Sequence, residues 1–491
     1  MAEEFRNGLG ELEQERYKKA ERLRERGVEP FPLRSERTHS VEQVRELFER
    51  GEDPGVVHLA GRLTANRWTG KITFADLRDG TGRIQLFLRQ DNLGEEAYKG
   101  FLKEFDLGDI IGVEGTVFRT RTGEVTLNVT RVELLAKAIA PMPEKWHGLK
   151  DVETRYRQRY LDLMSSEEVR RVFIARARAI TAMRQYLDAH GFVEVETPVL
   201  QPLYGGAMAR PFTTHHNELD RDLYMRIATE LYLKRLLVGG LERVYEIGKN
   251  FRNEGVDRSH LPEFTMMECY QAYADYNDMM RLVEELYGAC AQAALGTLKI
   301  TFDGNEIDLT PPWQRVTIHD AILELVGIDI DRASDLESLR GAIKERGLKV
   351  DPHPTWGKQV DELLSTFVEP KLIQPTFIMD YPADISPLAK KKPENPRITE
   401  RFEPFVGGLE VGNAFTELND PEEQYLRFVD QGRQRAAGDL EAQQMDEDYV
   451  QALKHGLPPT GGLGLGVDRM VMLLTDQHSI RDVVLYPQLR T

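Results

Sequence analysis

Three stretches of the chain set charged, aromatic and glycine residues at spacings that suit chemistry better than packing. The first, Arg243 to Tyr273 (RVYEIGKNFRNEGVDRSHLPEFTMMECYQAY), reads as two strand-like runs joined by a polar loop. Alternation along the second run puts Phe264, Met266, Glu268 and Tyr270 on one sheet face. An aromatic ring, a carboxylate and a phenol do not make a core stripe. Arg252 closes the first run, and Arg258 and His260 sit in the loop. An arginine can grip a phosphate and a phenylalanine can stack on a base, so the set could clamp a nucleotide with the loop cations over its distal phosphates. The competing reading is an exposed hairpin with an ion pair, and periodicity alone does not separate the two.

The second stretch is RFEPFVGGLEVGNAFTELND, Arg401 to Asp420. Gly407-Gly408 signals a two-residue hairpin turn. If Val406 pairs with Leu409, then Phe405 faces Glu410, and Glu403 and Glu410 become diagonal neighbours on one face. Carboxylates that close repel unless a proton or cation sits between them. The expected occupant is Mg²⁺, held by one or two carboxylates plus nucleotide phosphates. Two solvent-facing glutamates on an edge hairpin are the alternative. Asn413, Phe415 and Glu417 have the other parity and join the same pocket only if Gly412 marks a bulge or bend. In the third stretch Gly462, Gly464 and Gly466 lead into a helix whose first turn holds Arg469. The third glycine comes one residue too early for a dinucleotide fingerprint, and no βαβ unit surrounds it.

The elements that must carry these residues follow from texture. Residues 1 to about 50 read as helical and highly charged, with a basic run of Arg16, Lys18, Lys19, Arg22, Arg24 and Arg26. That run could hold phosphates, or could be a solvated helix balanced by Glu13, Glu15, Glu21 and Glu25. From Val56 five short alternating runs follow, with a helix-like piece at Leu93 to Phe105, and these predict a five-stranded OB-fold barrel over residues 51–143. Pro141-Met142-Pro143 reads as a linker. Glu168 to His190 has helical apolar spacing, then comes the strand-like FVEVETP. Beyond it strands and helices interleave without a βαβ period, which predicts an α+β domain over 144–491, an antiparallel sheet flanked by helices, with a helical insertion at about 331–370.

Bulk composition narrows the classes. At 491 residues the chain needs more than one core. With 41% hydrophobic and 30% charged residues it belongs with soluble globular proteins. No run of apolar residues is long enough to span a bilayer, and MAEEFRNGLGELEQERYKK lacks the apolar core of a secretory signal. Two cysteines without a CxxC or a Cys/His cluster predict neither zinc nor a disulfide framework, and fit a cytoplasmic location. A net charge of −17 disfavours nucleic acid in bulk, yet leaves room for a local binding face.

FRNEG with PEFTMMECYQAYADY resembles motif 2 of the class II aminoacyl-tRNA synthetases in its lysine-specific, bacterial-type version. The helix with GFVEVETPVL resembles motif 1, whose proline closes a dimer interface, and GGLGLGVDRMVML resembles motif 3. The resemblance covers about residues 55 to 491. It implies ATP and L-lysine as substrates, lysine tRNA as acceptor, Mg²⁺ on Glu403 and Glu410, and a homodimer through the motif 1 helix and strand. It implies that Arg252 bridges the lysine carboxylate and the α-phosphate, that His260 and Arg469 meet the β- and γ-phosphates, and that Glu254 and Phe264 hold adenine. Glu230 in RIATELYLK and the backbone of Gly206 in YGGAMARPF would take the α-amino group. Glu268, Tyr270 and Glu417 would surround the ε-ammonium, with Asn413 and Phe415 completing the lysine pocket. A buried cation needs paired acceptors of this kind, whereas aspartyl and asparaginyl enzymes must bind an anionic or neutral side chain. In the barrel, Phe74, Gln85 and Glu124 match positions that stack on and hydrogen-bond anticodon bases, with Arg67, Trp68 and Lys71 as candidate backbone contacts. For Phe74 alone, core packing is the rival. Two other functions remain: a lysine ligase acting on a protein, against which the full barrel counts, and a non-catalytic RNA-binding or regulatory protein, against which Arg252, Glu403, Glu410 and Arg469 count together.

Overall fold

The computed structural model describes residues 2–143, 149, 151–436, 438 and 442–489. The chain divides into two compact units, Met1–Trp146 and His147–Thr491.

In the first unit five strands, β1 (Val56–Thr69), β2 (Ile72–Arg78), β3 (Arg83–Arg89), β4 (Ile110–Arg119) and β5 (Val125–Ala136), close into a barrel of order β1-β2-β3-β5-β4. Alternation is clean in β3. Ile84, Leu86 and Leu88 are fully buried among Val57, Leu63, Leu77, Ile111 and Leu127, while Arg83, Gln85 and Phe87 point outward. The basic N-terminal run is engaged mostly by groups other than the glutamates of its own helix. Arg16 is buried and donates to the carbonyls of Leu107, Ala138 and Ala140 at 3.1–3.2 Å. Lys19 pairs with Asp106 at 2.7 Å, and Arg22 and Arg26 converge on the buried Glu104. Only Lys18 takes one of the four expected glutamates, Glu15; Arg24 reaches Glu29. The helix is thus a clamp on the barrel: Lys19, Arg22 and Arg26 are matched by Glu104, at the end of the Glu95–Glu104 helix, and by Asp106, in the turn before β4.

The second unit is built on a nine-stranded sheet, in the order Gln314–Thr317, Thr376–Met379, Arg401–Val406, Gly412–Thr416, Thr460–Gly466, Glu263–Ala272, Arg243–Phe251, Val193–Glu194, with Leu409–Glu410 paired beside Arg401–Val406. Its centre is antiparallel and its outermost pairs are parallel. The strand read from FVEVETP shrinks to Val193–Glu194. Parallel neighbours require a long crossover. The one from Gln314–Thr317 to Thr376–Met379 is the helical insertion: helices Ile318–Val326, Leu336–Glu345 and Trp356–Phe367 with a core of their own around Ile322, Leu339, Val360 and Leu363.

Strand parity gives the sheet two faces of opposite character. Tyr245, Met267, Cys269, Phe402, Ala414, Leu463 and Leu465 pack against helices Glu167–Ala189 and Tyr276–Leu295, which meet through Ala179, Met183, Leu286 and Cys290. The neighbours of those sheet residues along each strand, including Glu268, Tyr270, Glu403, Asn413 and Phe415, turn to the other side.

Candidate active site

On that second face lies a cleft of about 370 Å³. Its floor is explained by three strands in register: Tyr270 stands opposite Gly462, and Gly462 opposite Phe415; Glu268 stands opposite Gly464, and Gly464 opposite Asn413. The spacing of Gly462, Gly464 and Gly466 is therefore strand parity. The middle strand offers bare backbone to the cleft while Leu463 and Leu465 fill the core behind it. A Cβ at Gly462 would lie 2.6 Å from the Tyr270 ring and would overlap a Glu417 oxygen, so no other residue fits there.

The hairpin of glutamates forms as its pattern predicts. Val406 pairs with Leu409 and Phe405 with Glu410. Gly407 and Gly408 both have positive φ, 61° and 75°, the conformation a primed two-residue turn demands. Farther along, Phe402 pairs with Ala414 and Arg401 with Phe415, one residue out of step with the turn-proximal pairs. A bulge thus lies beside Gly412, the condition on which these residues could share the pocket, and it swings Asn413 and Phe415 into the cleft with Glu403 and Glu410.

Side-chain geometry divides the cleft in two. At one end the Arg252 guanidinium lies 5.1 Å from the Phe264 ring centroid and donates to the Ile227 carbonyl at 3.4 Å. Arg469 donates to the Glu410 carbonyl at 2.5 Å, to its carboxylate at 3.1 Å, and to His260 Nε2 at 3.4 Å. His260 Nδ1 lies 3.0 Å from Asp257. Arginine can only donate and a carboxylate only accept, which fixes the Nδ1-protonated form when the ring is neutral. Burial would raise the Asp257 pKa, but N–H donors from Ser259 and His260 bring it down to about 2. Glu254 lines this end, exposed. Behind it Asp468 accepts from the Thr265 amide at 2.7 Å and from Arg176 at 2.6 Å, tying the helix that carries Arg469 to the strand that carries Phe264.

At the other end carboxylates concentrate. Glu268 is buried and accepts from the Thr229 amide at 3.0 Å, from Asn250 at 3.3 Å and from the Tyr270 hydroxyl at 3.3 Å. Burial, then Glu230, Glu268 and Glu417, raise the Tyr270 pKa well above that of an ordinary phenol and keep it a donor. Gly206 and Glu230 line the wall. Glu417 does not line the cleft: it has no exposed surface and is ion-paired to Lys234, which also reaches Glu230 at 2.5 Å. Between the two ends Arg401 donates to Asn413 at 2.9 Å, to Glu403 at 2.6 Å and to Ser386 at 2.9 Å; the Tyr381 hydroxyl donates to the other Glu403 oxygen at 2.7 Å.

Lys234, Arg401, Tyr381 and Asp468 escaped the reading of the sequence. Two left a trace. Lys234 follows Glu230 by one helical turn inside the apolar run ELYLKRLLV, and Arg401 shares strand parity with Glu403. Asp361 and Glu369, whose charges act on Glu403 and Glu410, come from the far end of the insertion and left none.

In the barrel, Phe74 is not core. It is half-buried on the outer face, its ring 5.0 Å from that of Phe87, which lies 5.8 Å from Phe118. Gln85 on the same face accepts from Thr126 at 3.0 Å, and Glu124 accepts from Arg83 at 2.9 Å. Trp68 is exposed and Arg67 stands 3.7 Å from Asp76.

A family model described as class II tRNA synthetases (D, K and N) matches residues 151–490, and one described as an OB-fold nucleic acid binding domain matches 57–135. The chain is 58% identical to a lysine–tRNA ligase of Roseiflexus castenholzii, covering 98% of this chain and 99% of the relative. It is 56% identical to one of Moorella thermoacetica, covering 97% of each, and 51% identical to one of Dehalococcoides mccartyi, covering 100% and 98%. With the motif 2 and motif 3 stretches meeting in one cleft and a closed barrel earlier in the chain, the chain belongs to the lysine–tRNA ligase family of the class II tRNA synthetases.

Proposed function

We propose that this chain activates L-lysine with ATP and loads it onto lysine tRNA. One observation carries the reading: a single cleft has an Arg–Phe clamp with an arginine and a histidine for phosphate at one end and two carboxylates with a phenol at the other. Lysine has an ammonium at both ends, and only a site with acceptors for both can desolvate it.

Activation is in-line attack of the lysine carboxylate on the α-phosphate, which yields lysyl-adenylate and pyrophosphate. It needs little proton transfer, so positioning and charge neutralisation carry the rate. Arg252 holds the attacking carboxylate against the α-phosphate. Arg469 and His260, already in contact with each other, receive the departing pyrophosphate end. Phe264 stacks on adenine and Glu254 hydrogen-bonds to it. Glu230 and the Gly206 backbone orient the α-amino group, Glu268 and Tyr270 the ε-ammonium, and Asn413 and Phe415 close the pocket. The terminal ribose hydroxyl of the tRNA then attacks the adenylate.

Glu403 and Glu410 fit a hard divalent cation. Both line the cleft beside Arg469 and His260, and burial, with Glu410 and Asp361 adding to it against Arg401, raises the Glu403 pKa, a cost to the ionised form that a bound cation would relieve. Mg²⁺ bound there would offset charge developing on the phosphates. Among the described residues no group of three or more His, Cys, Asp or Glu side chains is arranged to hold a metal, so the two carboxylates would leave the remaining positions of such an ion to phosphate oxygens and water. Phe74, Gln85 and Glu124 are the proposed anticodon contacts of the barrel domain, residues 51–143. The exposed apolar stripe of helix Glu167–Ala189, with Phe173, Ile174 and Ala177 beside Leu163 and Leu485, is the proposed homodimer contact. Cytoplasmic residence is proposed from the two free, buried thiols.

The test is pyrophosphate–ATP exchange with each amino acid, followed by charging of unfractionated tRNA. Exchange should depend on lysine and charging on lysine tRNA. Exchange driven by aspartate or asparagine, or by no amino acid, would overturn the reading.

A further inference from the structure

Of the three proposed anticodon contacts on the outer face of the barrel, only Gln85 could present either hydrogen-bonding sense to a base. The Phe74 ring stacks, and the Glu124 carboxylate only accepts. A glutamine carries an acceptor at one end of its amide and a donor pair at the other, and a half-turn about its last bond exchanges them. Which end faces the RNA is set by whatever holds the opposite end.

Thr126 holds it. Along β5 Leu127 and Val129 pack in the barrel core, so Thr126 and Asn128 belong to the outer face. Thr126 nevertheless has no exposed surface: it stands in register between Gln85 of β3 and Phe118 of β4. A buried hydroxyl needs an acceptor. Its one proton has two in reach, Gln85 Oε1 at 3.0 Å and the Glu124 carbonyl at 3.3 Å, and the Gln85 oxygen is the nearer. With that oxygen taken, the amide offers its N–H groups to a base lying on the face. The carboxylates bordering the face are paired, as a surface that meets a polyanion requires: Arg83 donates to Glu124 at 2.9 Å and to Asp76 at 3.1 Å.

We infer that Thr126 is a positioning residue for anticodon reading: by holding the Gln85 oxygen it turns the amide N–H groups to the base, so that uridine, with a carbonyl at C4, is accepted and cytidine, with an amino group there, is rejected. The inference rests on the reading above, in which Gln85 touches an anticodon base. Uridine O4 takes a hydrogen bond from the Gln85 amide. Cytidine sets its own N–H donors against those of Gln85 and leaves both unpaired, the costly case. Thr126 itself touches no base.

The experiment charges transcripts of lysine tRNA in which the second or the third anticodon uridine is replaced singly by cytidine. It compares the uridine-to-cytidine ratio of kcat/KM in the full-length wild type, Thr126→Val, Thr126→Ser and Gln85→Glu. Thermal melting checks the fold, and lysine-dependent pyrophosphate exchange, which needs no tRNA, checks activation. Thr126→Val keeps the shape and removes the hydroxyl, so Gln85 is free to turn and the ratio should fall about tenfold or more at one of the two positions. Thr126→Ser keeps the hydroxyl and should keep the ratio. Gln85→Glu faces the base with an acceptor and should lower the ratio at the same position. An unchanged ratio in Thr126→Val overturns the inference, and so does an equal loss in Thr126→Ser, which would make the methyl group and not the hydroxyl responsible. If Thr126→Val melts early, Gln85→Glu decides in its place: an unchanged ratio there means that an acceptor already faced the base, and overturns the inference. Failure of the underlying reading looks different: Gln85→Ala would charge every transcript as the wild type does.

Discussion

Glu268 shows how completely a single side chain is committed. One oxygen accepts from a backbone amide and an asparagine, the other from a phenol, inside a wall with almost no exposure. Glu268→Gln keeps the shape and removes the charge, so it should cost lysine activation ~3–5 kcal/mol, the usual result of leaving a buried ion without its partner, while the KM for ATP stays near the wild-type value. Pyrophosphate exchange at varied lysine and varied ATP reads both. Glu369 makes the opposite case. Burial, then Glu410 and Asp361, push its pKa up to about 7 against the pull of Arg469. An acid whose folded pKa lies above its unfolded one favours folding least when ionised. Its cost is absent below about pH 4.5, grows as pH rises through the window up to 7, and is constant above it. Glu369→Gln should therefore stabilise the fold by about 1 kcal/mol at pH 8, after allowance for the screening of a partly exposed group, and raise the melting temperature there but not at pH 4.5. Melting curves without divalent cations at the two pH values check it, and an equal shift at both would refute the sign.

At the scale of elements, the cleft is made by two local departures from regular strand. One is the bulge beside Gly412, which lets residues of opposite parity, Glu403 and Asn413, share a pocket and be joined by Arg401. The other is the glycine strand, and its positions are not equivalent. Gly462→Ala drives a methyl group into Tyr270 and Glu417 and should destabilise the second unit by about 1–3 kcal/mol. At Gly464 a methyl would meet the flexible end of Met266 at 3.1 Å and Glu268 Cγ only at 3.7 Å. Gly464→Ala should therefore melt like the wild type yet lose lysine kcat/KM, since it fills space the substrate uses. Melting and exchange kinetics on the pair separate folding from occupancy.

At the scale of the whole molecule, the two compact units divide the work. The cleft and its supports lie after residue 147, whereas the outward Phe74, Gln85 and Glu124 belong to the barrel. Because Phe74 is half-buried on an outer face, Phe74→Ala removes a stacking surface and opens no core cavity. It should weaken lysine tRNA binding by ~1–3 kcal/mol, seen as a higher tRNA KM in charging, with pyrophosphate exchange and melting unchanged. A lowered melt would instead mean that the Phe74–Phe87–Phe118 cluster holds the barrel together.

Elements whose reason is local were legible in the sequence. Period-two runs with tight turns gave five barrel strands; Gly407-Gly408 gave the turn and so the diagonal of Glu403 and Glu410; the motifs gave Arg252, Phe264 and Arg469. Strength of pattern was the limit elsewhere. FVEVETP alternates like a strand but pairs over only two residues, because it lies at the sheet edge and finds a neighbour on one side alone. The basic run of the N-terminal helix could not reveal whether its partners were phosphates, its own glutamates or a barrel: Glu104 and Asp106 lie some eighty residues downstream and are brought to it only by folding. The same holds for Lys234 and Glu417, which share one ion pair across 183 positions of sequence. Short-range periodicity decides which face a residue takes; which opposite charge it meets on that face depends on the order of strands in the sheet, and only the tertiary structure supplies that.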